Sequence, residues 1–216
     1  MSEVECVGGG GKHFAQESLG RESGRLPKEH LGYERRGTFP IRRSLLLMLL
    51  RRLTPADASD YQALRLAALR AEPFAFSSSY EEERDYSASV IKGRLAARMD
   101  RGVFGAFEND ELVGLVALGR LDGVKLSHKA LIWSMYVRPE FRRKGLARAL
   151  LGAALSLAGQ VPGVQQVNLS VNAGNLGALR LYESVGFKAY GREPGALLIN
   201  GELHDEIHLS LRLTPG

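Results

Sequence analysis

Residues 135–147 read MYVRPEFRRKGLA, and this stretch decides how the chain folds. The apolar residues 135–137 are predicted to end a strand, and apolar residues with a helical period begin after Arg142. The chain is therefore predicted to pass from a strand through a turn directly into a helix. A helix N-terminus presents unpaired N–H groups and a partial positive charge, which together can bind a phosphate. Arg142, Arg143 and Lys144 add full positive charges to the turn. On these residues alone, an anion site and a solvated basic turn both remain open.

The sequence on both sides of this turn predicts a mixed α/β fold. Before it, residues 103–107, 112–121 and 129–137 have the pattern of an antiparallel strand meander. After it comes a helix whose apolar face is formed by Leu146, Leu150, Leu151, Ala154, Leu155 and Ala158. Further elements follow: a strand at 164–171, a helix at 176–185 that ends at Gly186, and a strand pair, 196–199 and 207–213, joined by Asn200-Gly201.

The part of the chain before the meander divides into two segments. Residues 49–53 are predicted to form a strand, and Thr54-Pro55 begins a helix that extends to about Leu69. Ser79 caps a second predicted helix, which runs towards Met99. Residues 1–47 show no apolar period, so we expect a disordered N-terminal extension there and the folded domain in residues 48–216.

Composition excludes several classes of protein. The formal net charge of +5 suits a partner that carries phosphates, but aromatic residues make up only 7% of the chain and do not alternate with basic ones, so we expect no nucleic-acid partner. Cys6 is the single cysteine, which rules out an internal disulfide and a cysteine-rich metal site, and we expect no metal. The longest apolar run, Leu45 to Leu50, is far shorter than the ~20 residues that span a bilayer, so we expect a cytoplasmic protein that stays off membranes.

Two sequence blocks carry a resemblance to a known family. Residues 142–147, RRKGLA, satisfy the pattern [Q/R]-x-x-G-x-[G/A], and residues 172–187, NAGNLGALRLYESVGF, satisfy N-x-x-N-x-x-A-x-x-L-Y-x-x-x-G-F. Neither a Walker loop nor a dinucleotide-binding fingerprint is present in the sequence. With these two blocks, residues 49–213 resemble the GNAT superfamily of N-acetyltransferases.

The resemblance implies a fold, a cofactor and a set of contacts. The fold is a mixed, mostly antiparallel central sheet with flanking helices, in which a splayed strand pair holds acetyl-CoA, the acyl donor. The backbone of Met135, Tyr136 and Val137 would contact the acyl group and pantetheine, and Asn175 would bind the pantetheine arm. The pyrophosphate would be held at the turn that contains Arg142, by the amides of Arg143, Lys144, Gly145, Leu146 and Ala147.

The resemblance also implies a reaction, the transfer of an acetyl group to a primary amine of a small molecule or peptide. A non-catalytic module that senses acyl-CoA is the alternative, and a homodimer is possible. Acyl transfer needs a proton for the departing thiolate, and Tyr182 is the catalytic residue expected to supply it. Without the motif, Tyr182 is equally well interpreted as an aromatic core residue.

The general base is not assigned from the sequence. Some members of the superfamily carry a glutamate where this chain has Ser170, and a serine alone is a poor acceptor for an ammonium proton. Glu81, Glu82, Glu83 and Glu108 are interpreted as solvated surface residues, and His128 as structural.

Overall fold

Seven strands and five α-helices lie in residues 48–213, the part of the chain that the computed structural model describes. The strands are β1 (Met48–Arg52), β2 (Arg101–Glu108), β3 (Glu111–Arg120), β4 (Lys129–Val137), β5 (Gln166–Asn172), β6 (Lys188–Ile199) and β7 (Glu202–Arg212). The helices are α1 (Ala58–Ala71), α2 (Tyr80–Glu83), α3 (Ala88–Leu95), α4 (Leu146–Gln160) and α5 (Leu176–Val185). The extension predicted for residues 1–47 lies outside the described residues.

The strands form one sheet in the order β1-β2-β3-β4-β5-β7-β6. Neighbouring strands are antiparallel except β4 and β5, which run parallel. A parallel pair needs a long crossover connection, and α4 supplies it. The predicted fold class, a mixed and mostly antiparallel sheet with flanking helices, is confirmed.

The parallel pair β4 and β5 separates soon after it begins. Three residue pairs join the strands, from Lys129 opposite Gln166 to Leu131 opposite Asn168. Beyond these pairs, β4 continues to Val137 and β5 to Asn172, but the two strands no longer pair with each other. The predicted splay is therefore confirmed, and it opens a gap in the middle of the sheet at the carboxyl ends of both strands.

Helices cover the sheet with two separate cores. The larger core joins α4 and α5 to the sheet, and Leu150 and Leu151 are fully buried in it. The smaller core joins α1 and α3 to β2 and β3. Burying one such leucine stabilises the fold by about 1.5–3 kcal/mol, so the apolar face predicted for α4 fixes that helix against the sheet.

Two sequence predictions are wrong in detail. The single helix expected from Ser79 towards Met99 is two helices, α2 and α3, because Ser87 starts a new helix by accepting a hydrogen bond from the Val90 N–H. The final strand pair also starts earlier than predicted, since β7 begins at Glu202 instead of residue 207. Strand β6 begins at Lys188 instead of residue 196. Its glycines and proline resemble a loop in sequence, but register shifts after Ala189 and after Glu193 accommodate them within the strand.

No helix in the described range is both long and apolar enough to cross a membrane.

Candidate active site

The splay between β4 and β5 forms a cleft of about 870 Å³. Its walls come from the second half of β4, the end of β5, the first turns of α5, the segment after α1, and β7. Of the residues predicted from the sequence, the cleft brings together Met135, Tyr136, Val137, Arg142, Ala147, Asn175 and Tyr182. A smaller adjoining pocket of about 200 Å³ contains Arg143, Gly145 and Leu146.

The turn before α4 presents a row of free backbone amides. Arg143 and Gly145 have positive φ angles of 63° and 84°, and Gly145 is the N-cap of α4. The first bond of the helix runs from the Ala149 N–H to the Gly145 carbonyl, and the N–H groups of residues 143–147 donate no backbone bond to any other described residue. Unpaired donors at a helix start, together with the helix dipole, are features that can bind an anion.

The basic side chains of this turn differ in their partners. Arg142 Nε donates to the Val137 carbonyl at 2.9 Å and its Nη2 to Glu72 Oε1 at 2.8 Å, so this guanidinium ties the turn to the end of β4 and to the segment after α1. Lys144 Nζ lies 3.3 Å from Glu108 Oε1. Arg143 pairs with no carboxylate among the described residues, so its charge remains available to an incoming anion.

A β-bulge lies in β4 at the cleft, and no pattern in the sequence predicts it. Trp133 pairs with Ala117 and Tyr136 with Leu115, so Ser134 and Met135 together oppose Val116. Ser134 has a φ of 56°. A bulge leaves backbone groups outside the ladder, which frees donors beside the cleft. Such donors can stabilise an oxyanion.

Tyr182 contributes a buried phenol to the cleft. It lies on α5, is 5% exposed, and packs edge-on against Phe187 with ring centroids 5.9 Å apart. Its hydroxyl makes no hydrogen bond to another described residue. Burial raises the pKa of Tyr182 to about 12, so the phenol keeps its proton at neutral pH.

Asn175 has a structural contact in addition to its expected role. Its side-chain oxygen caps α5 by accepting a hydrogen bond from the Ala178 N–H at 3.1 Å. Asn175 lines the cleft, and its side-chain nitrogen donates no hydrogen bond to another described residue. Its contact with the pantetheine arm stays a prediction.

Two glutamates interpreted from the sequence as solvated are buried and paired. Glu83 is 1% exposed and binds Arg65 at 2.7 Å and Arg94 at 2.9 Å. Glu108 is 5% exposed beside Lys144. Both carboxylates are charge-compensated and do not line the cleft, so neither is a base for the acceptor.

Four polar residues line the cleft on the side of β5 and β7. Ser170 and Asn172 follow one face of β5, and His204 and Glu206 follow one face of β7. Glu206 forms no ion pair with another described residue, and burial raises its pKa. Sequence reasoning missed His204 and Glu206, although their period of two along a strand marks them as sharing a face. His128 does not line the cleft. No cluster of three or more metal-ligating side chains occurs among residues 48–213.

Comparison with known proteins identifies the family. The model of the Acetyltransferase (GNAT) family matches residues 63–187, which is more than half of the chain. The chain therefore belongs to the GNAT acetyltransferase family, as the resemblance of the two sequence blocks implied.

Three curated relatives share part of their length with this chain. It is 28% identical over 141 residues to an uncharacterised N-acetyltransferase of Methanocaldococcus jannaschii, covering 64% of the chain and 60% of that protein. It is 31% identical over 94 residues to the spermidine N(1)-acetyltransferase of Vibrio cholerae, covering 44% and 53%. It is 34% identical over 88 residues to human N-acetyltransferase 8, covering 40% and 38%. The matches thus span between about two fifths and three fifths of these relatives.

Solved structures share the fold at low sequence identity. An acetyltransferase of the GNAT family from Streptococcus pneumoniae matches with a TM-score of 0.67 and 21% identity, over 77% of this chain and 99% of that one. A putative acetyltransferase from Salmonella typhimurium, solved with its cofactor acetyl-CoA, matches with a TM-score of 0.65 and 20% identity, over 78% and 95%. Both likenesses bear on the fold alone.

Proposed function

We propose that this protein transfers the acetyl group of acetyl-CoA to a primary amine of a small molecule or peptide. The observation that carries the proposal is that the cleft between β4 and β5, which Tyr182 lines, adjoins the smaller pocket at the free amides before α4. Membership of the GNAT family supports the same reaction.

The turn before α4 is the proposed site of the pyrophosphate. The N–H groups of residues 143–147 are unpaired at a helix start, and the Arg143 side chain adds a positive charge that no described carboxylate pairs with. From there the pantetheine arm would extend along the gap between β4 and β5, past the side-chain amide of Asn175. The gap is open because the two strands pair only at their beginnings.

The bulge at Ser134 and Met135 is the proposed position of the thioester carbonyl. Attack by an amine turns the carbonyl oxygen into an oxyanion, and backbone donors that are held in place before the reaction stabilise that charge. The ladder between β3 and β4 is interrupted at these two residues, so the proposal assigns such a donor to their backbone.

Tyr182 is proposed to act on the sulfur that leaves. The pKa of the Tyr182 phenol, about 12, lies above the ordinary thiol pKa of about 8.5, so complete proton transfer from the phenol to a thiolate is unfavourable. Tyr182 therefore donates a hydrogen bond to the developing thiolate, and any proton that it passes on is replaced from the amine, which loses a second proton as the amide forms.

The acceptor would enter from the side of β5 and β7. The Glu206 carboxylate, which has no ion-pair partner among the described residues, gives this side a negative charge. An acceptor amine is a cation before it reacts, so the charge attracts it. The expected absence of a nucleic-acid partner, the cytoplasmic location and the possible homodimer stay predictions.

Thiol release with a panel of amines tests the proposal. The panel holds spermidine, amino acids, aminoglycosides and peptides with free N-termini, and mass spectrometry identifies the acetylated product. We expect acetyl-CoA-dependent thiol release with at least one of these amines. Acetyl-CoA binding without thiol release from any of them would contradict catalysis and favour the alternative, a module that senses acyl-CoA.

A further inference from the structure

Three polar side chains form a hydrogen-bonded row across β5, β7 and β6. Ser170 and His208 are direct cross-strand partners, and Ser170 Oγ lies 2.8 Å from His208 Nδ1. His208 Nε2 lies 3.0 Å from Glu193 Oε2. We call these three residues the Ser170 row.

The partners of His208 determine which ring nitrogen carries the proton. An ionised carboxylate can only accept, so the Nε2 atom that faces Glu193 bears the hydrogen. In a neutral imidazole the Nδ1 atom is then an acceptor, and the Ser170 hydroxyl donates to it. The lone pairs of Ser170 Oγ remain free to accept a proton from another group.

The row leads from the cleft to the edge of the sheet. Ser170 lines the cleft that also contains Tyr182. Because side chains alternate along a strand, Ser170 lies on the face of β5 opposite to Leu169 and Val171, which are buried in the core. Strand β6 is the outermost strand on this side, and the Glu193 side chain is 57% exposed.

We propose that the Ser170 row takes the proton from the acceptor ammonium, with Ser170 in contact with the amine and His208 acting through it. The inference rests on the proposed function, and it assigns the base that the sequence left open. Ser170 alone is a poor proton acceptor, but a serine that donates to an imidazole can pass a proton on.

The proton balance of the transfer is complete with this row. The ammonium gives one proton to Ser170 Oγ as the hydroxyl proton moves to His208 Nδ1, and the resulting imidazolium is held by Glu193. The neutral amine then attacks the carbonyl carbon and forms the N–C bond. When the C–S bond breaks, the electron pair of that bond stays on sulfur. The amine loses its second proton to this sulfur, which becomes the thiol, and His208 releases the first proton to solvent at the edge of the sheet.

The charged groups around His208 favour a transient positive charge there. Glu206 lies two residues earlier on the same face of β7, and Glu193 faces the ring from β6. Tyr190 of β6 stacks on the ring with centroids 6.0 Å apart. Lys188 is a cation on this face of β6. It lies opposite Ser210, which is two residues after His208 on β7 and so further from the cleft. Glu193 contacts the ring directly, whereas Lys188 lies opposite the next residue on that face of β7.

The pH dependence of kcat/KM tests the row, with acetyl-CoA and the fastest alkylamine of the panel. We expect Ser170→Ala and His208→Gln to lower kcat/KM by about 10²-fold at pH 7, because a positioned base typically contributes about 10²- to 10⁴-fold. The deficit should shrink as the pH approaches about 10, where alkylamines lose their proton unaided. Acetyl-CoA affinity should not change, and Ser170→Thr, which keeps the hydroxyl, should retain most of the activity.

Matched controls lie outside the cleft, and Ser210 also shares the face of β7 that carries His208. Ser210→Ala removes a hydroxyl one step beyond His208, and His128→Gln removes an imidazole away from the cleft; both should behave as the unmodified protein. Equal rates for Ser170→Ala and the unmodified protein, or a deficit that stays constant with pH, would overturn the relay and leave the proposed function standing. Absence of acetyl transfer by the unmodified protein would overturn both.

Discussion

Tyr182 combines two properties that are seldom found together, a buried ring and a hydroxyl without a protein partner. The ring belongs to the core formed by α4, α5 and the sheet, and it packs edge-on against Phe187. Tyr182 lines the cleft, and its hydroxyl is a donor that no described residue satisfies. Removing only the phenol oxygen of Tyr182 therefore tests its chemical role without changing the packing of its ring.

We predict that Tyr182→Phe lowers kcat by about 10²-fold, the lower end for acid catalysis, because a thiolate can also leave unaided. Acetyl-CoA affinity should stay nearly constant, since the ring is retained. Steady-state kinetics on a verified acceptor, together with calorimetric affinity, check the split. Tyr80→Phe, which alters a tyrosine outside the cleft, is the control. If Tyr182→Phe and the unmodified protein had equal kcat values under conditions where chemistry limits the rate, Tyr182 would have only a packing role.

The start of α1 depends on a local cluster of charge and hydrogen bonds. Asp57 accepts from the Thr54 N–H at 2.7 Å and pairs with Arg51, whose Nη2 lies 2.6 Å from Asp57 Oδ1. These bonds, chiefly those from Arg51, hold the pKa of Asp57 below its ordinary value. They join β1 to α1, and the end of α1 carries Glu72, which holds Arg142 at the cleft.

We predict that Asp57→Asn lowers the free energy of unfolding by about 1.5–3 kcal/mol at pH 7, the range for hydrogen bonds to a charged group. Because the folded-state pKa of Asp57 is depressed, its stabilisation is fully present above the unfolded value of about 3.9 and is lost as the pH falls further. Urea unfolding of both proteins from pH 7 to 3 should show the difference shrinking below about pH 4.

The control for this experiment is Asp85→Asn, since the Asp85 side chain is 80% exposed in its pair with Arg84. An exposed pair contributes little to stability. A difference for Asp57→Asn that does not change with pH would contradict the role of the Asp57 charge.

Elements with strong local signals could be predicted from the sequence. The bounds of β4 and α5 agree with the predicted ranges, since an apolar strand and a helix that ends at Gly186 are both specified locally. The bulge at Ser134 could not be predicted, because it is imposed by the pairing of β4 with β3. The burial of Glu83 likewise depends on Arg65 and Arg94, which are distant in sequence and meet only in the fold.

The residues of the candidate site also differ in whether local sequence predicts them. The turn before α4 and Tyr182 lie within contiguous motifs, so the sequence was sufficient to predict them. Ser170, His208 and Glu193 come from three strands whose order in the sheet, β5-β7-β6, does not follow the order of the chain. Their contact requires the register of the folded sheet, and no local pattern contains it.

At the scale of the whole molecule, the sheet consists of two parts joined by few bonds. Strands β1 to β4 form one antiparallel part, strands β5, β7 and β6 form the other, and three residue pairs connect them. Helix α4 starts beside the gap, and α5 begins directly after β5 on its other side. The cleft therefore follows from the topology, and its anion site from the turn that leads into α4.

The central claim is that acetyl-CoA binds in this cleft with its pyrophosphate at the turn before α4. Gly145→Glu places bulk and negative charge there, and Gly163→Glu is a matched control. Both glycines have φ angles near 84° and 83°, and an added Cβ at either meets no atom within 4 Å. The two variants should thus carry similar backbone strain, while only Gly145 lies at the proposed site.

Calorimetric titration of acetyl-CoA into the unmodified protein and the two folded variants is the most direct measurement. We expect acetyl-CoA to bind the unmodified protein and Gly163→Glu, and we expect no binding to Gly145→Glu. Unchanged acetyl-CoA affinity in folded Gly145→Glu would contradict the claim.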